Sequence, residues 1–189
     1  AGSDTFMQGA HLELTGGEIS YNKALYGGGA AVYAVGSGST ASEQNTAVVM
    51  KGSFVLSHNS ANKTGNGMYI VAKSASQSHT LVTLGGAARI DTSNPVYFEE
   101  VGANQVPILV ESSLTTAGTA AIFEFSDAFW AGSHSGYGYA SAGRQIIRFA
   151  DGLDIQENKI ALESTNWYLK ADAADRALEL QKFSATPQY

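Results

Sequence analysis

The 189 residues contain no cysteine, which excludes disulfides, thiolate metal sites and cysteine nucleophiles at once. Charge is scarce: only 15% of residues are Asp, Glu, Lys or Arg, against about a quarter in an ordinary globular domain. Basic residues are the scarcer sign, 11 against 17 acidic ones, and the net charge of -6 leaves no electrostatic footprint for nucleic acid or anionic lipid. No apolar run approaches the roughly 18 residues of a membrane span, and the first residues lack a basic then apolar leader. With Ala1-Gly2-Ser3 at its start, the chain is expected to be part of a longer protein whose anchor or export signal lies elsewhere, with no membrane insertion in this part.

What is abundant is glycine, 21 residues, together with Ser, Thr and Ala, a profile of β structure with many tight turns. The stretch from Gly16 to Val35 reads as a strand, a corner at Asn22, a glycine turn at Gly27-Gly28-Gly29 and a second strand. It returns at Ser53 to Val71 with Asn59 at the corner, and in shortened form at Gly85 to Phe98 with Asn94. The steps between corners are 59 - 22 = 37 and 94 - 59 = 35 residues, near-equal spacing that marks a repeat. Such a unit cannot bury its apolar face alone and stacks on its neighbours.

Asn suits the corner because it tolerates left-handed backbone and bonds its own main chain. Tyr33, Tyr69 and Tyr97 are expected at one place in the closing strand, each after an apolar residue, so that the Asn and Tyr residues form structural ladders. The loops 36–46, 73–80 and 99–107 all follow the Tyr strand, which in stacked repeats marks either a binding face or a corner where insertions disturb no pairing. Past residue 107 the repeat fades while strands continue, over 108–111, 120–125, 145–149, 159–163, 168–171 and 177–181. Residues 172–176 suit a hairpin connection.

Short strands in sets of three without intervening helices predict an all-β fold, a right-handed parallel β-helix (solenoid) of about four to five coils with a C-terminal β cap. The repeat region spans 1–115, and terminal coils and cap span 116–189 of the same domain. An antiparallel sandwich would want Asn-Gly hairpins, and only Asn66-Gly67 offers one. Gly-Gly-x-Ile-x-x-Asn followed by Gly-Gly-Gly-x-x-Val-Tyr resembles the repeat of bacterial surface proteins with pectin-lyase-like β-helices, including polymorphic autotransporter passengers and adhesin-like proteins. The likeness covers residues 12 to 115. It implies display outside a bacterial cell, on the surface or secreted, in a family that spans adhesins, stalks and polysaccharide-cleaving enzymes.

Catalytic chemistry is hard to place. Glu13, Glu18, Arg89 and Asp91 fall on different copies, short of the carboxylate groupings that polysaccharide lyases and hydrolases need. Asp151 with Asp154 and Asp172 with Asp175 miss calcium-loop spacing, and the four histidines (His11, His58, His79, His134) show no ligand pairing. No Gly-x-Ser-x-Gly elbow and no phosphate loop occurs. No catalytic residue, metal ligand or cofactor is expected.

The segment from Asp127 to Gly143 is aromatic, glycine-rich and nearly uncharged, and it supplies the ligand-binding candidates Trp130, His134, Tyr137 and Tyr139, with Trp167 and Tyr168 beyond. Flat rings between Gly and Ser suit sugars or a partner's surface. The competing reading makes Phe129 and Trp130 a plug on the end of the stack. The expected function is a non-catalytic adhesin-like or structural module meeting a host surface protein or a glycan. A carbohydrate-binding module or a polysaccharide lyase or hydrolase is the alternative.

Overall fold

Short apolar runs bounded by Gly and Asn fold as strands, since burying their side chains stabilises the extended backbone and Gly and Asn permit reversals between them. The structure, a computed structural model, describes residues 12–34, 48–72, 80–103, 105–132 and 137–184. The loops 36–46 and 73–79, together with His11, His79 and His134, lie outside the described residues.

A first set of strands comprises β1 (Leu12–Leu14), β2 (Glu18–Ser20), β3 (Lys23–Ala24) and β4 (Ala30–Ala34). A second comprises β5 (Val48–Met50), β6 (Val55–Ser57), β7 (Ser60–Ala61) and β8 (Met68–Ala72). Then come β9 (Val82–Gly86), β10 (Arg89–Ile90), β11 (Val96–Glu100), β12 (Ile108–Leu114) and β13 (Ala121–Phe125), and a short helix α1 (Asp127–Ala131). The chain finishes with β14 (Gln145–Phe149), β15 (Ile160–Leu162), β16 (Trp167–Asp172) and β17 (Ala177–Lys182).

These strands divide among four sheets. One holds seven strands in the order β1-β5-β9-β12-β14-β17-β16, parallel as far as β14 and antiparallel beyond it. A parallel five-stranded sheet runs β15-β13-β11-β8-β4, a three-stranded one β10-β6-β2, and β3 pairs with β7 alone. The expectation of one right-handed parallel β-helix is corrected by this arrangement. A uniform coil adds a strand to every sheet at each turn, whereas these sheets hold seven, five, three and two strands, and the largest is mixed. Three irregularities accompany this division. The corner strand β3 is two residues long, β11 and β12 carry register shifts, and the β16–β17 hairpin closes the large sheet antiparallel.

Register places like over like on the inner faces. Val48 pairs with both Leu12 and Val82, Ile108 with both Val82 and Ile147, and Leu56 with both Ile19 and Ile90. Ala30, Met68, Val96, Phe123 and Leu162 form the matching row of the five-stranded sheet. One continuous apolar cluster runs from Val32 to Leu180, with Phe54, Phe98, Phe123 and Phe149 fully enclosed. Each such burial contributes about 1.5–3 kcal/mol, and side chains in register supply it without irregular gaps.

Candidate functional site

The repeated asparagines form a chain of side-chain contacts. The Asn22 amide donates to Asn59 Oδ1 at 3.1 Å, and the Asn59 amide donates to Asn94 Oδ1 at 2.6 Å. Asn59 Nδ2 in turn donates to the carbonyls of Ile19 (2.8 Å) and Ser57 (2.9 Å). Asn59 and Asn94 are buried, so these bonds satisfy corner backbone groups that water does not reach. The left-handed residue at the first two corners is the one before the Asn, Tyr21 at φ 58° and His58 at φ 52°. Their rings stack at 4.8 Å.

Beside this corner Ser57 Oγ donates to Glu18 Oε1 at 2.7 Å and meets His58 Nδ1 at 2.9 Å. A serine nucleophile gives its proton to histidine; here the hydroxyl hydrogen goes to the carboxylate, and Ser57 accepts from the ring. The hydrogen bonds from Ser57 and Ser20, helped by His58 and Arg89, hold the Glu18 carboxyl below its usual range. The Ser93 amide and hydroxyl do the same for Asp91, which Arg89 and His58 also favour. Ser57 is buried here, while Glu18 and His58 are exposed.

The outer face of the five-stranded sheet carries a different row. Tyr69 pairs with Ala31 and Tyr97, and Tyr97 with Glu124; the Glu163 amide donates to the Phe123 carbonyl, which extends the row by one more carboxylate. Tyr69 and Tyr97 stack at 5.7 Å with rings 8° apart. Tyr33 stands outside this row: it pairs with Val71, two residues on, and meets Tyr69 edge-on at 6.4 Å. Tyr26 fills in from the glycine turn at 5.2 Å from Tyr69. Burial, with Glu99 next, pushes the Tyr69 phenol up to about 12, and burial and Glu99 also raise that of Tyr97. Burial pushes the Glu124 carboxyl up to about 7, with Glu163 and Asp127 adding negative charge around it. Sequence reasoning missed Glu124, because its burial and the nearness of Glu163, just past β15, are set by the pairing of strands far apart in the chain.

Within the aromatic segment Phe129 and Trp130 pack on the core, while Tyr139 and residues 141–143 are exposed. Ser126 caps α1, its Oγ accepting from the Phe129 amide and donating to the Glu99 carbonyl, and Gly132 ends the helix left-handed. Phe129 is buried; Trp130 lies edge-on to Phe125 and Phe129 and stacks at 6.4 Å on Trp167. Tyr137 forms a bridge with Gly102 and a hydrogen bond to Glu100, while Tyr139 is exposed. Of the candidates, Trp130, Tyr137 and Tyr139 are thus placed, and His134 lies outside the described residues.

Arg144 organises this segment, and nothing in its sequence neighbourhood announced it. Its guanidinium donates to the carbonyls of Gly102 (3.0 Å), Ala103 (3.2 Å), Tyr139 (3.2 Å) and Gln105 (3.4 Å), and lies 5.3 Å from the Phe129 ring centre. Burial lowers its pKa. Gly138 leaves the space that the guanidinium occupies, since a Cβ there would overlap it.

Among the described residues no three His, Asp or Glu side chains come together to hold a metal ion, and no helix is long and apolar enough to cross a membrane. Comparison with protein-family models, curated proteins and solved structures finds no match.

Proposed function

We propose that this chain is a non-catalytic, adhesin-like module displayed or secreted by a bacterium, meeting a host surface protein or glycan. What carries the proposal is the set of bulky side chains left in water in the first layer: Tyr21 at 79%, Leu25 at 55%, Tyr33 at 49% and Tyr26 at 42% exposure. They belong to a layer whose strands β1, β2 and β4 are each the outermost of their sheet. Bulky side chains left exposed on one layer point to an interaction surface, and tyrosines make large contacts at low entropic cost. The test is adherence of protein-coated beads to host cells. Retained adherence after Tyr21→Ser, Leu25→Ser, Tyr26→Ser and Tyr33→Ser are combined, with unchanged thermal stability, would sink the proposal.

Polysaccharide hydrolysis is a second reading, favoured by Glu124. A carboxyl raised to about 7 beside other carboxylates is the pairing from which glycosidases draw a general acid. Release of reducing ends from bacterial or host polysaccharides, abolished by Glu124→Gln, would establish it; no release from any of them would remove it.

A further inference from the structure

The far end of the molecule holds a cavity of about 220 Å³ where β15 and β16, the last strands of the two largest sheets, come together with the 3-10 turn Glu157–Lys159. Its lining includes Glu157, Leu162, Ser164, Trp167, Tyr168 and Phe183. Trp167 and Tyr168 are consecutive in β16 and point to opposite faces of the strand, Trp167 to the core side and Tyr168 to the side of Phe183. The Tyr168 and Phe183 rings lie 4.9 Å apart, tilted by 34°, and both are well exposed.

The rings are held in place by the fold. The Phe183 amide donates to the Asn166 carbonyl at 2.9 Å, which fixes the chain just past β17. Trp167 is braced by Trp130 at 6.4 Å and by the Lys182 ammonium at 5.9 Å from its ring centre. Ser164 Oγ accepts from the amides of Asn166 and Trp167, so the hydroxyl's remaining capacity is its own O–H. The cavity therefore combines flat apolar faces, one carboxylate acceptor and one hydroxyl donor. A hexose ring has the matching chemistry: a C–H face for the rings and a rim of hydroxyls that donate to a carboxylate and accept from an alcohol.

We propose that this cavity binds the terminal hexose of a neutral glycan. A neutral sugar fits because Glu157 repels an anionic one. The proposal rests on the adhesin-like reading for its biological setting, and names a ligand class for it at a second place, away from the Tyr21 to Tyr33 surface.

The experiment uses the full chain and two measurements. Saturation-transfer NMR with methyl glucopyranosides, galactopyranosides and mannopyranosides, and methyl sialoside as the anionic comparison, reports contact directly. Adherence of coated beads to cells is scored in parallel. The expected result is transfer to ring C–H protons of at least one neutral hexoside, with a Kd of about 1 mM, weakened about tenfold by Phe183→Ala and by Glu157→Gln but not by Tyr139→Ala. Binding of none of the neutral hexosides, binding of the sialoside alone, or binding that survives both Phe183→Ala and Glu157→Gln overturns the proposal. Coated beads that adhere while no sugar binds overturn the cavity site and leave the surface reading standing. Sugar binding of the expected kind with beads that fail to adhere supports the cavity site and sinks the surface reading.

Discussion

The backbone amide of Asn59 donates to the side-chain oxygen of Asn94 across 2.6 Å, linking two corners that are 35 residues apart. Asn59 also supplies the acceptor for Asn22 and two donors to carbonyls, so one side chain completes several backbone groups. Replacing it by Ala strands these groups away from water. Asn59→Ala is expected to cost about 2–4 kcal/mol in urea unfolding, and Asn22→Ala, at the exposed outer corner, less than about 1 kcal/mol. Equal losses at the two positions would contradict the role assigned to burial.

Gly67 and Gly16 make a paired test of the glycine turns. A Cβ at Gly67 would overlap the carbonyl of Asn94 in the next layer, whereas one at Gly16 would meet only Ser53 Oγ at 3.5 Å. Gly67→Ala is expected to lower stability by about 2 kcal/mol or more, and Gly16→Ala to leave it within about 0.5 kcal/mol. Thermal melts of the two variants decide it.

Glu124 carries a pH signature. Its carboxyl titrates near 7 in the folded chain against 4.5 ordinarily, so the folded state holds the proton more tightly. The stabilisation is complete below about pH 4.5 and is lost as pH rises through about 7. Glu124→Gln should therefore match the parent at pH 4 and exceed it at pH 8 by about 1 kcal/mol, after allowance for its partial exposure, or roughly 2–4 °C in melting temperature. A constant difference between pH 4 and pH 8 would show that the carboxyl is not perturbed.

Arg144→Met retains a long apolar stem but removes the donors to four carbonyls. It is expected to cost about 2–3 kcal/mol and to raise the mobility of residues around Gly102 and Tyr139 in hydrogen exchange. Gly138→Ala should give the same local exchange pattern, because it displaces the same guanidinium. Protection unchanged at Gly102 in both variants would exclude Arg144 as the organiser.

Much of the local structure was legible in the residues. Strands at Ile108, Ala121, Gln145 and Ala177 follow from apolar alternation, and the hairpin through Asp172 to Ala177 follows from its polar connection. The equivalence of Asn22, Asn59 and Asn94 was visible because corner chemistry depends on one residue type at near-constant spacing. The place of Tyr33 was not, since a shift of two residues keeps the same side of the strand outward, and alternation alone cannot count rungs. Helix α1 was missed although Ser126-Asp127 offers a cap, because five residues carry too little periodicity to register.

By itself, then, the sequence determined that strands lie near 108–111, 120–125, 145–149 and 177–181 and which asparagines share a role, because these depend on neighbours along the chain; it did not show β3, β7 or the extension of β12 to Leu114. Tertiary structure alone decided how the strands divide among four unequal sheets, why the last of them turn antiparallel, and what surrounds Glu124, Arg144 and Phe183. Those outcomes depend on partners tens of residues away, whose pairing energies are settled only when the layers meet.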